Sequence, residues 1–208
     1  MSLGSVILFL AALPASLPRP AAQSVWPEGE VRKATLSFDG KSSLGDFTGV
    51  TTSVRGHMTG GAALADVRGW VEAPVSTLKT ANDRRDRDLV KTMEAATYPN
   101  IRFELTGVQP VWERGDSAEV TLQGNFVIHG VTRAESVKAS VVRDSSGIRI
   151  MATLPMNLHD YQINKLTRFL VFKMKPDIVV HVDVTFWAGE GRLDSFHQPA
   201  PPPGFDRR

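Results

Sequence analysis

The chain has 208 residues, with 24 Lys and Arg against 22 Asp and Glu, and it contains no cysteine. That length suits one domain with a substantial core, and the missing cysteine excludes disulfides, thiol catalysis, thiolate metal sites and a lipid anchor on an N-terminal Cys. A formal charge of +2 supplies no concentrated basic surface, so nucleic acid is not an expected partner.

Residues 1–24 read as a secretory signal peptide. Val6 to Leu13 forms a short apolar run, followed by small residues and prolines, and Ala22-Gln23-Ser24 has the spacing of a cleavage site. The run is too short for a membrane span, which needs about 20 apolar residues. No Lys or Arg precedes it, so the α-amino group alone supplies the positive end. The expectation is export, with a soluble mature protein in the periplasm or outside the cell.

Residues 25–188 carry strand patterns almost throughout. Thr35-Leu36-Ser37-Phe38 alternates, with Leu36 and Phe38 inward. Val50, Thr52, Val54, Gly56 and Met58 share one face of a second strand. Ala65, Val67, Gly69, Val71 and Ala73 share one face of a third, spanning Leu64 to Ala73, and Pro74 ends it. Repeated Gly and Ala on an inward face either leave space inside a closed sheet or let another backbone approach closely. A helix is expected from Asp86 to Ala96 with Asn82 or Asp83 as its N-cap, stopped by Tyr98-Pro99-Asn100. Five more strands follow, Ile101 to Val108, Ala118 to Ile128, Thr132 to Val142, Ile148 to Leu158 and Ile178 to Phe186. Between the last two, Asp160 to Pro176 is a long connection whose apolar run, Phe169-Leu170-Val171-Phe172, would serve as a lid. Residues 189–208 are proline-rich without periodicity and read as a disordered tail.

The expected fold is therefore all-β, an eight-stranded antiparallel lipocalin-like barrel with one short helix between the third and fourth strands. Eight strands is the number at which a closed barrel can hold one small apolar ligand. Closure also removes the exposed edges of an open sheet.

Motifs for chemistry are sparse. No nucleophile elbow, phosphate loop, dinucleotide fingerprint or His-Glu-x-x-His occurs, and the carboxylates are scattered. His181 and Asp183, two apart on one strand face, read more simply as a solvated outer face than as metal ligands. His159-Asp160-Tyr161 falls at the end of an apolar strand, where it reads either as a capped turn or as a catalytic group. The run Asp83 to Asp88 is mixed in sign. It reads as a solvated helix start, or as a source of arginines that meet an anionic headgroup.

The order Ser76-Thr77-Leu78-Lys79-Thr80, Arg85-Asp86 with Leu89, and Tyr98-Pro99 before a Phe-containing strand resembles the YceI-like family. The resemblance continues through Leu122-Gln123-Gly124, Ile128-His129-Gly130-Val131-Thr132 and Asp160-Tyr161-Gln162-Ile163, covering roughly Val31 to Ala188. Two departures stand out. Asp88 occupies a position where many members have His, and Lys33-Ala34 stands where a His-Ser pair is common. The resemblance implies a lipocalin-like barrel that binds polyisoprenoids, isoprenoid quinones or related amphiphiles in the periplasm, with no cofactor beyond the bound lipid.

An apolar tail gains about 25 cal/mol per Å² buried, so a long tail would be held without polar contacts. The expected lining is Leu36, Phe38, Val54, Val67, Val71, Phe103, Leu105, Leu122, Phe126, Val182 and Phe186, with Phe169 and Phe172 from the lid. Arg84, Arg85, Arg168, His159 and Tyr161 are the expected headgroup contacts, and exchange of lipid implies transient contact with a membrane surface. Two other readings are an enzyme acting through His159, Asp160 and Tyr161, and an exported structural or inhibitory protein with a filled core.

Overall fold

The computed structural model describes residues 26–43, 45–164 and 174–187. Nine strand segments form one antiparallel sheet: β1 (Gly29–Ser42), β2 (Gly45–Thr51), β3 (Arg55–Thr59), β4 (Arg68–Pro74), β5 (Asn100–Arg114), β6 (Ser117–Ile128), β7 (Val131–Asp144), β8 (Gly147–Asn157) and β9 (Asp177–Phe186). β1 pairs with β9 as well as with β2 and β3, so the sheet closes on itself. β2 and β3 are two halves of one strand. Both pair with β1, and the step back from Leu36 to Gly29 matches the step on from Thr51 to Met58, so the register survives the break. The wall therefore has eight strands, as the sequence patterning implied, and one α-helix, α1 (Asp83–Thr92), crosses between β4 and β5.

β6 shows how the sequence builds the wall. Its residues alternate between buried and half-buried without exception, with Ala118, Val120, Leu122, Gly124, Phe126 and Ile128 inside. That is the two-residue period of a strand with one face on a core. Gly124 is needed there because a Cβ would run into the Phe103 ring and the Glu104 carbonyl. Gly49 is likewise covered by the Phe38 ring. At these two positions the small inward residues admit a neighbour's aromatic ring, and the hollow described below lies elsewhere.

Several strands run longer than expected, β5 to Arg114 among them, and two others change in kind. The second strand is interrupted at 52–54, and its buried face switches there. Thr51 is 3% exposed and Val50 37% exposed, whereas Gly56 and Met58 are buried after the break. Thr51 is tied to Thr77 by a 2.7 Å hydroxyl hydrogen bond and accepts from the Ser53 N–H, and these contacts hold the kink. The third strand begins at Arg68. Leu64–Asp66 forms a 3₁₀ turn, and Asp66 accepts from the Ala63 N–H.

The two ends of the barrel differ. Trp26, Leu64, Val67, Val108, Ala118, Val120, Val141 and Ile148 pack together at the end that holds the β5–β6 and β7–β8 hairpins. Trp26 is fixed by paired backbone hydrogen bonds with Gly61, each 3.0 Å, and its ring lies under the Arg143 guanidinium. The other end carries α1, the 3₁₀ turn Leu158–Tyr161 and the start of β9.

A hollow barrel with a polar mouth

Inside the wall is a cavity of about 350 Å³, within the usual range of ligand pockets. Leu36, Phe38, Val54, Val71, Phe103, Leu105, Leu122, Phe126, Val182 and Phe186 line it, Val54 from the break before β3 and the others by the alternation of their strands. The Phe103 and Phe126 rings meet at 4.6 Å between centroids. Val67 does not line the cavity. It ends the 3₁₀ turn and is buried in the closed-end packing, because a residue there no longer follows the strand alternation that would have turned it inward. Phe169, Phe172 and Arg168 lie outside the described residues.

The lining has further members at the same two-residue spacing along their strands. Ile150, Ala152, Leu154 and Met156 of β8 and Ile178 and Val180 of β9 all border the hollow. Others have no such signal. Phe47 reaches it from β2 and Met174 from the segment before β9, where Met174 bridges to Ser42.

At the helix end the lining turns polar through Ser42, Asp46, Asn82, Arg84, Arg85 and Asp88. Arg85, Asp88, Leu89, Thr92 and Met93 all border the cavity, the three- and four-residue spacing of one helix face. The Arg85 guanidinium lies 4.3 Å over the Phe47 ring, which itself meets Phe38 edge-on at 6.0 Å. Of the expected headgroup contacts, Arg84 and Arg85 are therefore at the mouth.

The helix is held there by two side chains. Asn82 is its N-cap and accepts from the Arg85 N–H at 3.0 Å. Asp86 accepts from the Thr80 N–H at 2.8 Å and from the Thr80 hydroxyl at 2.7 Å. Burial works against ionisation of Asp86, but the two Thr80 hydrogen bonds together with Lys79 and Arg85 outweigh it and hold the carboxyl below its usual range. A carboxylate with a depressed folded-state pKa adds stability above its unfolded value of about 3.9, and that stability is lost as pH falls through the folded value. Asp86→Ala should cost about 1–3 kcal/mol, since it leaves the Thr80 donors unsatisfied. The difference from wild type, followed by urea unfolding, should shrink at acid pH below that point.

His159 and Tyr161 do not border the cavity. Asn157 caps the turn they occupy by accepting from the His159 N–H. His159 and Asp160 are exposed, while Tyr161 is almost completely buried, with its hydroxyl lacking a hydrogen-bond partner among the described residues. Burial, reinforced by the Glu135 charge and opposed by Arg133, pushes the phenol up to about 12. It therefore stays protonated at neutral pH and serves as no base. Tyr161→Phe removes only an unsatisfied group, so it should leave stability unchanged or raise it by about 1 kcal/mol in denaturant melts. His181 and Asp183 are engaged on the outer wall, with Asp39 and Thr153 on His181 and a two-pronged contact from Arg149 on Asp183.

The fold has solved counterparts. Burkholderia cenocepacia BcnA superposes with a TM-score of 0.62 at 14% identity, over 73% of this chain and 94% of its own. A polyisoprenoid binding domain from Saccharophagus degradans, implicated in plant cell wall breakdown, gives 0.62 at 16% identity over 79% and 99%. The Campylobacter jejuni YceI protein gives 0.54 at 16% identity over 66% and 83%. No curated protein matches the chain. The YceI-like domain pattern, by contrast, matches residues 30–186, the whole closed wall with its crossing helix, and the chain belongs to that family.

Proposed function

We propose that this protein is an exported carrier that holds a long-chain isoprenoid or a related amphiphile in its barrel, tail inward and head at the helix end. The observation that carries this reading is the cavity of about 350 Å³, walled by apolar side chains and bordered at the helix end by a group of polar residues. Each 100 Å² of tail taken from water contributes about 2.5 kcal/mol, so retention needs no polar anchor. The similarity to a polyisoprenoid binding domain points to the same ligand class. Export rests on the signal-like residues 1–24, and delivery would involve brief contact with a membrane surface.

The enzyme reading loses its support in geometry, because the one candidate group, His159, Asp160 and Tyr161, does not border the cavity. Organic extraction of the purified protein followed by mass spectrometry tests the carrier. One long-chain lipid per protein, recovered chemically unchanged, is the expected result. Protein that emerges empty and takes up no added isoprenoid would overturn it.

A further inference from the structure

Resting on the reading that the barrel holds an amphiphile by its tail, we infer that the mouth selects a head with a hydrogen bond to donate, in the simplest case a hydroxyl, and that Asp88 accepts it. Asp88 lies on the barrel-facing side of α1 between Arg85 and Leu89 and lines the cavity. Its Oδ2 is shielded from water and has no hydrogen-bond partner among the described residues. Asp86, two residues earlier, by contrast accepts twice from Thr80 at Oδ1 and has Lys79 3.9 Å from Oδ2. A shielded carboxylate oxygen without a partner is costly, and native structures rarely leave one bare without a reason. Here the residue borders the apolar hollow, at the end where its lining becomes polar.

The surrounding charges decide what kind of head fits. Arg84 and Arg85 border this end, the Arg85 guanidinium lying over the Phe47 ring, and Asp46 adds a second carboxylate to the rim, so the two cations there are already matched by two carboxylates. A phosphate or carboxylate head has no proton to offer Asp88 and would meet it as a like charge in a poorly solvated place. A hydroxyl donates to Oδ2 and brings no charge. This replaces the arginine-to-anion contact expected from the sequence with a carboxylate-to-hydroxyl contact at the same mouth.

The test uses the full chain stripped of lipid and three probes sharing one tail: geranylgeraniol, its methyl ether and its monophosphate. Geranylgeraniol should bind about tenfold to a hundredfold more tightly than either of the others, the range of a hydrogen bond to a charged acceptor. In Asp88→Leu the alcohol should lose its advantage over the ether. In Asp88→Asn, which keeps an acceptor but no charge, the monophosphate should gain about tenfold. Wild-type protein that binds alcohol and ether equally, or the monophosphate best, overturns this inference and leaves the carrier reading intact. Failure of all three probes to bind overturns both.

Discussion

Ala152→Phe is expected to weaken lipid binding close to a hundredfold while leaving the barrel folded. Ala152 faces the hollow from β8, opposite Val182 of β9 and Ala139 of β7, and it borders the cavity. A phenyl ring there enters space already empty, so no neighbour has to move aside as it would in a packed core. The ring instead takes room from the ligand. Displacing even about 100 Å² of tail contact costs about 2.5 kcal/mol, close to a hundredfold in Kd. The melting temperature of lipid-free protein should hold or rise, because the ring buries apolar area that was open. Titration with a long-chain isoprenoid alongside a thermal melt checks both halves. Unchanged affinity would place the ligand somewhere other than this cavity.

The second large effect separates a hollow barrel from a filled one by using two isoleucines of the same strand. Ile148 and Ile150 both point inward from β8. Ile148 is 1% exposed in the closed-end packing, whereas Ile150 borders the cavity. Ile148→Ala opens a new void and should cost about 3–4 kcal/mol. Ile150→Ala enlarges a void already present, so chiefly the transfer term is lost, about 1–2 kcal/mol. Urea unfolding of the two lipid-free variants gives the comparison. Equal costs would mean that side chains fill the barrel along its whole length.

Most of the wall was legible because alternation reports burial directly. β6 reads correctly at every position, and the small loop residues between β6, β7 and β8 fix their register. What escaped the pattern has local causes. Gly49 faces inward because it receives the Phe38 ring, and a residue without a side chain gives hydrophobicity no way to mark its face. Val50 therefore looked like the inward residue when its neighbour Thr51 is the buried one. Val67 follows a 3₁₀ turn, where the two-residue period lapses. Bulges at Leu105/Gly107 and Pro110/Trp112 carry β5 beyond its expected end and leave Val111 and Trp112 exposed.

The site was legible to a similar depth. Residues on regular strands, such as Phe103, Leu122 and Val182, were placed on the cavity by phase alone. The closed end depends on Trp26, whose contact with Gly61 is made across sequence and leaves no periodic trace. Asp88 sat in a charge cluster whose sequence reading gave weight only to its arginines. Its position on the helix face with Leu89 and Thr92 assigns it to the mouth, and the lack of a partner for one of its oxygens among the described residues depends on the three-dimensional packing, which leaves no trace in sequence.

A crystal structure of the protein loaded with a brominated isoprenoid alcohol tests the central claim most directly. Anomalous signal is expected from the tail beside the paired rings of Phe103 and Phe126, with the head beneath α1 at Arg85 and Asp88. Signal on the outer wall, or a barrel closed around its own side chains with no tail inside, would contradict it.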